Sequence, residues 1–338
     1  MSLRTTPDYY HIVLERIPPK STPIFEEEGM QERVWGRRWG VYNDVGTLRM
    51  VLLHRPSDEL SVLSADKYDP TIEALIDDRA QWYYRSDRAP DLAKLQAEHD
   101  NLARVLRENG VQVEYADCSL TNPNAMFIRD TAIIVQGGAI IGRMGPVGEE
   151  PGTGRRGEEA YVARKLSELG MPILRTIHGS GLLEGGSFCL LDEDHAAVGL
   201  GFRQNPAGVD QLRNVLKHQD IELLEVPLVG HSLHIDGAIV MVDHKKALVR
   251  IPRLVYWFVE KLQELDIEVI TVDPRDPELT VNCLALAPGK VLMREGADWT
   301  AEKLHRRGVE VIQIPYDECH KGGGGIHCTT LPLIRDRD

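Results

Sequence analysis

The sequence predicts an α/β chain made of five small sheets set around an axis, with helices on the outside. Two observations carry this prediction. A strand–strand–helix–strand pattern recurs five times, and turn or helix-ending residues fall at the joints of the copies. Units this small cannot bury their apolar faces alone, so the five copies form one domain. A chain of 338 residues, 42% hydrophobic and 27% charged, is long enough for the core that such a domain needs.

Residues 1–40 hold Pro18-Pro19 and the acidic run Glu26-Glu27-Glu28, and read as an irregular N-terminal extension over the surface. Residues 41–338 are then the single repeat domain. Its first copy opens with a strand at 48–54, ended by Pro56. The polar stretch at 57–90 reads as an insertion, a candidate lid, and hides any second strand of this copy. A helix near 91–109 follows, with Leu92, Leu95, Leu102, Val105 and Leu106 on one face. Gly110 is placed to end it, before a strand at 111–115.

In the second copy, strands at 132–135 and 139–141 flank Gly137-Gly138, a hairpin signal. A glycine-rich loop at 145–157 leads to a helix near 158–169, ended by Gly170, and Ile173-Leu174 closes the unit. The third copy has strands at 187–191 and 196–200, a helix near 209–217 and a strand at 221–226. The fourth has strands at 238–242 and 247–249, a helix near 254–265 and a strand at 267–272. The fifth has strands at 284–287 and 291–293 around Pro288-Gly289, a helix near 302–307 and a strand at 309–314.

Composition narrows the function classes. A net charge of −13 argues against nucleic acid as a partner, but says little about a small cation. Five cysteines, an odd count, and an amino terminus without an apolar stretch point to a cytoplasmic protein with reduced thiols. No apolar run approaches membrane-spanning length, so no membrane partner is expected. Self-association into a homo-oligomer stays open.

The polar residues recur at one place in the units. Asp130 lies just before the first strand of unit two, Glu184 before that of unit three, and Asp236, with His234, before that of unit four. Equivalent positions in a rotational repeat converge on one end of the axis. The segment Gly322-Gly323-Gly324-Gly325-Ile326-His327-Cys328 follows the last strand of unit five and returns to that end. Its bare backbone lets a ligand or another segment come close. Thiolate is the strongest nucleophile among ordinary side chains.

Three gathered carboxylates call for something positive among them, either a metal ion or a cationic ligand. The Cys-His and His-Cys pairs at 319–320 and 327–328 lack the usual structural-zinc spacing, so no metal or other cofactor is expected. A planar guanidinium suits carboxylates plus a thiol better, because its fork of N–H donors matches carboxylate oxygens.

These motifs resemble those of the guanidine-modifying superfamily, and within it arginine deiminase. The matching stretches are 43–56, Asn122-Pro123-Asn124 through Phe127-Ile128-Arg129-Asp130, Leu183-Glu184-Gly185-Gly186, His234-Ile235-Asp236, and 322–333. The resemblance implies a five-bladed α/β propeller. It implies Cys328 as nucleophile, His234 as general acid and base, Glu184 as the carboxylate orienting it, and Asp130 and Asp236 as the guanidinium grip. Asn124, Arg129, Arg143, Arg203 and Gly325 are the positions it suggests for the rest of the substrate. Two departures bear on specificity: Ser187 stands where deiminases often have Asp, and His327 where they often have Arg before the nucleophile.

The expected reaction is hydrolysis of a guanidino compound through a covalent amidino-thioether on Cys328, giving a ureido product and ammonia. An amidinotransferase would share the first half and pass the group to an amine. A dimethylarginine dimethylaminohydrolase is expected less, since those enzymes usually lack the Asp of His-x-Asp. A non-catalytic propeller binding module would not gather Cys, His and carboxylates at one end of the axis.

Overall fold

The computed structural model describes residues 3–77, 82–117, 122–145 and 155–338. Five three-stranded sheets share one connectivity. They are Leu331–Arg335 with Leu48–Leu53 and Gln112–Tyr115; Ala132–Val135 with Gly138–Ile141 and Ile173–Thr176; Phe188–Leu190 with His195–Leu200 and Glu222–Pro227; Ile239–Asp243 with Lys246–Val249 and Glu268–Thr271; and Leu284–Ala287 with Lys290–Arg294 and Glu310–Ile314. In each, the middle strand runs antiparallel to the first and parallel to the third. A parallel pair needs a crossover, and a helix supplies it every time: Leu92–Glu108, Glu158–Glu168, Pro206–Lys217, Tyr256–Glu264 and Asp298–His305. The five sheets remain separate, with no continuous closed sheet among the described residues.

The five helices end alike. One left-handed residue follows each: Gly110, Gly170, Asp220, Asp266 and Gly308, with φ between 56° and 86°. The next residue's N–H returns to a leucine carbonyl in the helix: Val111 to Leu106, Met171 to Leu166, Ile221 to Leu216, Ile267 to Leu262, and Val309 to Leu304. This Schellman closure satisfies end carbonyls and turns the chain into the third strand. All five leucines are fully buried. Aspartate tolerates the left-handed region well enough to stand in for glycine twice.

Each first strand is buried nearly throughout, while each third strand is partly exposed. Burial on both faces explains why the first strands read as unbroken apolar runs rather than alternating ones. First strands of neighbouring sheets touch: Leu331–Arg335 meets Ala132–Val135, and Ile239–Asp243 meets both Phe188–Leu190 and Leu284–Ala287.

Two expectations need correction. The missing strand of the first unit is not hidden in the insertion. It is Leu331–Arg335, which pairs antiparallel with Leu48–Leu53 from the far end of the chain. The N-terminal extension is not wholly irregular either, since it forms helices Tyr9–Leu14 and Glu28–Trp35. The insertion at 57–90 builds a small antiparallel sheet from Tyr68–Asp69, Ala74–Ile76 and Tyr83–Tyr84. It is tied to the nucleophile segment by the Tyr84 hydroxyl on Glu318 and the Arg85 N–H on the Lys321 carbonyl.

Because the last strand completes the first sheet, its core side chains hold the two ends of the domain together. Leu333→Ala, at a fully buried position, is expected to lower stability by about 2–5 kcal/mol. Denaturant unfolding checks this, and a loss below about 1 kcal/mol would show that the strand adds little to the core.

Candidate active site

One position recurs just ahead of each first strand. The turn Ile128–Thr131 carries Asp130, Glu184 caps the turn Gly185–Ser187, and the turn Ile235–Gly237 carries Asp236. Asn282 precedes Leu284–Ala287, and the short helix Ile326–Thr329, with Cys328, precedes Leu331–Arg335. These five side chains meet at one end of the domain.

Asn282 was not foreseen, although its place in the repeat pointed to it. Its Oδ1 accepts the Cys328 N–H at 3.1 Å, and its Nδ2 donates to the Asp236 carbonyl at 3.2 Å. Its own carbonyl accepts the His327 N–H. Asn282 thus fixes both the backbone under the sulfur and the neighbouring carboxylate turn. The glycine run allows the approach, because a Cβ at Gly325 would overlap Asn282. Gly323 sits at φ +98°, where a Cβ would strike the Tyr83 hydroxyl. The closeness expected of this bare backbone is therefore used by other segments of the protein.

The Cys328 thiol lies 3.3 Å from Asp236 Oδ2, which also accepts His327 Nδ1–H at 2.9 Å. Burial, joined by the charges of Asp236 and Asp130, pushes the thiol well above its ordinary range. Burial and the charge of Arg129 lower His327, so that imidazole is neutral at pH 7. His234 donates Nε2–H to Glu184 Oε2 at 2.7 Å. Burial alone would lower His234, but the charge of Asp130 and the bond to Glu184 outweigh it and raise it. Glu184 is fully buried; its hydrogen bond to His234 and the charge of Arg203 overcome that burial and hold it well below the usual carboxylate range. His234 Nδ1 lies 3.3 Å from Asp130 Oδ1 but out of line for a hydrogen bond, so that buried oxygen keeps no hydrogen-bond partner.

The arginines depart most from expectation. Arg203 pairs with Glu184 at 3.1 Å. Arg155, which no sequence motif marked, is buried and places its guanidinium on Asp130 Oδ2, on Glu158 and on the Phe127 carbonyl. The positive charge that the three carboxylates called for is therefore present in the protein itself. Arg143 donates to the Gly181 carbonyl, and Arg129 lies 3.7 Å from Asp44; neither lines the cavity at Cys328. Asn124 does line it, and donates to the Gly322 carbonyl at 2.8 Å. Gly325 lies behind it, against Asn282. The glycine-rich loop at 145–157 falls largely outside the described residues.

That cavity, of about 250 Å³, runs from Cys328, His234 and Asp130 out to Ile76, Trp82 and Phe202. A second one, of about 210 Å³, reaches Cys328 from the side of Asp236, Arg253 and Glu278 and is the more polar of the two. The sulfur lies where they join. Ligand atoms of Asp130, Glu184 and His234 fall within 4.8 Å of one another, a spacing that could hold a metal ion. Arg155 and Arg203 already rest on those two carboxylates, so a cation placed there would face two guanidiniums, and the residues fit a metal poorly.

Comparison with known proteins gives the chain's family and its likenesses. Residues 73–335 match the family model described as N,N dimethylarginine dimethylhydrolase, eukaryotic. A 2-nitroimidazole nitrohydrolase of Mycobacterium sp. is 27% identical over 90% of this chain and 84% of its own length. The N(G),N(G)-dimethylarginine dimethylaminohydrolase of Pseudomonas aeruginosa is 26% identical over 72% of this chain and 89% of its own. An arginine deiminase of Clostridium perfringens is 22% identical over 89% and 98%. Among solved structures, the Pseudomonas aeruginosa dimethylarginine hydrolase superposes with a TM-score of 0.67 at 22% identity, covering 85% of this chain and 100% of that one. An amidinotransferase of Microseira wollei gives 0.66 at 15% identity, over 88% and 97%. These two share the fold.

Proposed function

Because the chain belongs to the N,N dimethylarginine dimethylhydrolase family, and so to the guanidine-modifying superfamily, we propose that it is a cysteine hydrolase breaking a C–N bond at an amidine carbon. Guanidino hydrolysis and amidino transfer are the chemistry of these relatives. The observation that carries the reading is the thiol of Cys328 at the junction of two cavities, facing His234 and two carboxylates. The arrangement of sheets is part of the proposal: 41–338 form one five-bladed α/β propeller, with 57–90 inserted. A cytoplasmic location accords with the four described cysteines, all free thiols.

In this mechanism the sulfur attacks the carbon between two nitrogens. A C–S bond forms as the thiol proton passes to solvent through Asp236, and the C–N bond to the leaving group breaks. His234, whose protonated form Asp130 and Glu184 favour, gives its Nδ1 proton to a leaving amine. His234 then takes a proton from water, whose oxygen attacks the thioether carbon and expels the sulfur. Water can arrive through the polar cavity while the body of the substrate stays in the apolar one.

The relative named 2-nitroimidazole nitrohydrolase points to a second kind of substrate, an amidine carbon within an aromatic ring. The aromatic lining at Trp82, Phe127 and Phe202 favours it. A panel of L-arginine, NG,NG-dimethyl-L-arginine and 2-nitroimidazole, scored for ammonia, dimethylamine and nitrite with and without glycine as acceptor, tests the proposal. Release of one of these products without acceptor is expected. A product formed only when glycine is present would overturn hydrolysis in favour of transfer.

A further inference from the structure

Asp130 is not an empty grip for a guanidinium. Arg155 holds one of its oxygens and anchors the rest of its own fork on Glu158 and the Phe127 carbonyl, all within the protein interior. An arriving guanidinium would have to bind beside this resident one, charge against charge, and could reach only the other oxygen, Oδ1. That oxygen is buried and has no hydrogen-bond partner among the described residues. It lies 3.3 Å from His234 Nδ1, and with Oδ2 taken by Arg155 a two-pronged fork across both oxygens is closed to a ligand.

The remainder of the cavity agrees. Among the described residues two arginines line it, Arg155 and Arg203, and each already faces a buried carboxylate. Neither is free for the carboxylate of an α-amino acid. The other described walls include Asn124, the backbone of Gly322, Gly323 and Gly324, and Ile76, Trp82, Tyr83, Phe127, Phe202 and Leu233, and these last six suit a flat apolar body.

We propose that Arg155 is a specificity-determining residue, and that the pocket takes a flat aromatic amidine offering one N–H to Asp130, with no carboxylate, rather than an arginine-like guanidine. This rests on Cys328 acting as the nucleophile. With 2-nitroimidazole, the sulfur adds at C2, the C–S bond forms, and the nitro group leaves with the bonding pair as nitrite. The thiol proton passes to solvent through Asp236. Water then adds at C2, the C–S bond breaks with its pair on sulfur, and the ring carbon becomes a carbonyl. The balance is ring amidine plus water giving cyclic urea, nitrite and a proton, with no oxidant or reductant. With 2-chlorobenzimidazole, another neutral ring amidine with one N–H, the same steps release chloride and a proton.

The test compares kcat/KM of the wild-type protein on 2-nitroimidazole and 2-chlorobenzimidazole with that on L-arginine and NG,NG-dimethyl-L-arginine. Alkylation of Cys328 by 2-chloroacetamidine is followed by mass in parallel. At least one aromatic amidine is expected to exceed both amino acids by about a hundredfold or more, since a pocket that leaves charged groups unpaired rejects strongly. Removing Arg155 alone would strand Glu158, so the variant is the double change Arg155→Met with Glu158→Gln. It frees both oxygens of Asp130 and should narrow the preference by about tenfold or more. Either amino acid turned over as fast as the aromatic amidines, with Cys328 alkylated, would overturn this inference and leave the hydrolase reading standing. No turnover of any probe and an unmodified Cys328 would overturn both.

Discussion

Cys328→Ser is expected to lower turnover by about a thousandfold or more on whichever amidine the wild-type enzyme uses best. The substitution changes one atom. The hydroxyl can still donate to Asp236, and the backbone N–H still reaches Asn282, so folding should be unaffected. What disappears is the polarisable sulfur that becomes covalently bonded to carbon. In the wild-type protein a quenched reaction should show an adduct on the intact mass, placed at Cys328 by peptide mapping; in the variant neither adduct nor turnover should appear. The other described cysteines cannot substitute, since Cys189, Cys283 and Cys319 are buried elsewhere and burial raises each thiol. A variant that kept a tenth of the wild-type rate would remove Cys328 from the chemistry.

The residues read correctly as neighbours share one property: each is charged or nucleophilic and stands at the same step of a repeat. Asp130, Glu184, Asp236 and Cys328 could be aligned because the apolar strands that follow them are easily seen. Asn282 occupies the same step in unit five, yet an uncharged side chain before a strand attracts no attention. Arg155 was invisible for a different reason. It stands in a glycine-rich loop without a motif, and only the folded chain shows that its guanidinium fills a demand attributed to a ligand or a metal. The first unit looked incomplete because its inner strand lies some 280 positions downstream of its partner, and local periodicity carries no information about such pairing. Three helix ends were not read as left-handed caps: Gly308 was passed over, and at Asp220 and Asp266 no glycine marks the position. In each case local pattern was legible, while partner choice depended on the tertiary fold.

His234→Asn is expected to lower kcat/KM by about 10²–10⁴-fold near neutral pH, and the change in pH profile is more diagnostic than the loss. In the free enzyme the thiol is pushed up by burial and by Asp236 and Asp130, while His234 is raised above its ordinary 6.5. At neutral pH the thiol therefore holds its proton, and the shift of His234 favours the imidazolium. Attack needs a thiolate, and an amine leaving group needs the imidazolium. Suppose the thiol titrates above the imidazole. The thiolate–imidazolium fraction then rises with pH up to the histidine's pKa, stays level between the two, and falls beyond the thiol's. The acid limb of kcat/KM thus belongs to His234 and should lie above pH 6.5. Asparagine cannot titrate, so the plateau should vanish and kcat/KM should climb tenfold per pH unit until the thiol ionises. Iodoacetamide alkylation reports the thiol separately: Asp236→Asn removes the nearest negative charge and should speed alkylation at pH 7, because the thiol's pKa falls. An acid limb unchanged in the asparagine variant would assign that titration to another group and leave His234 without the role of proton donor.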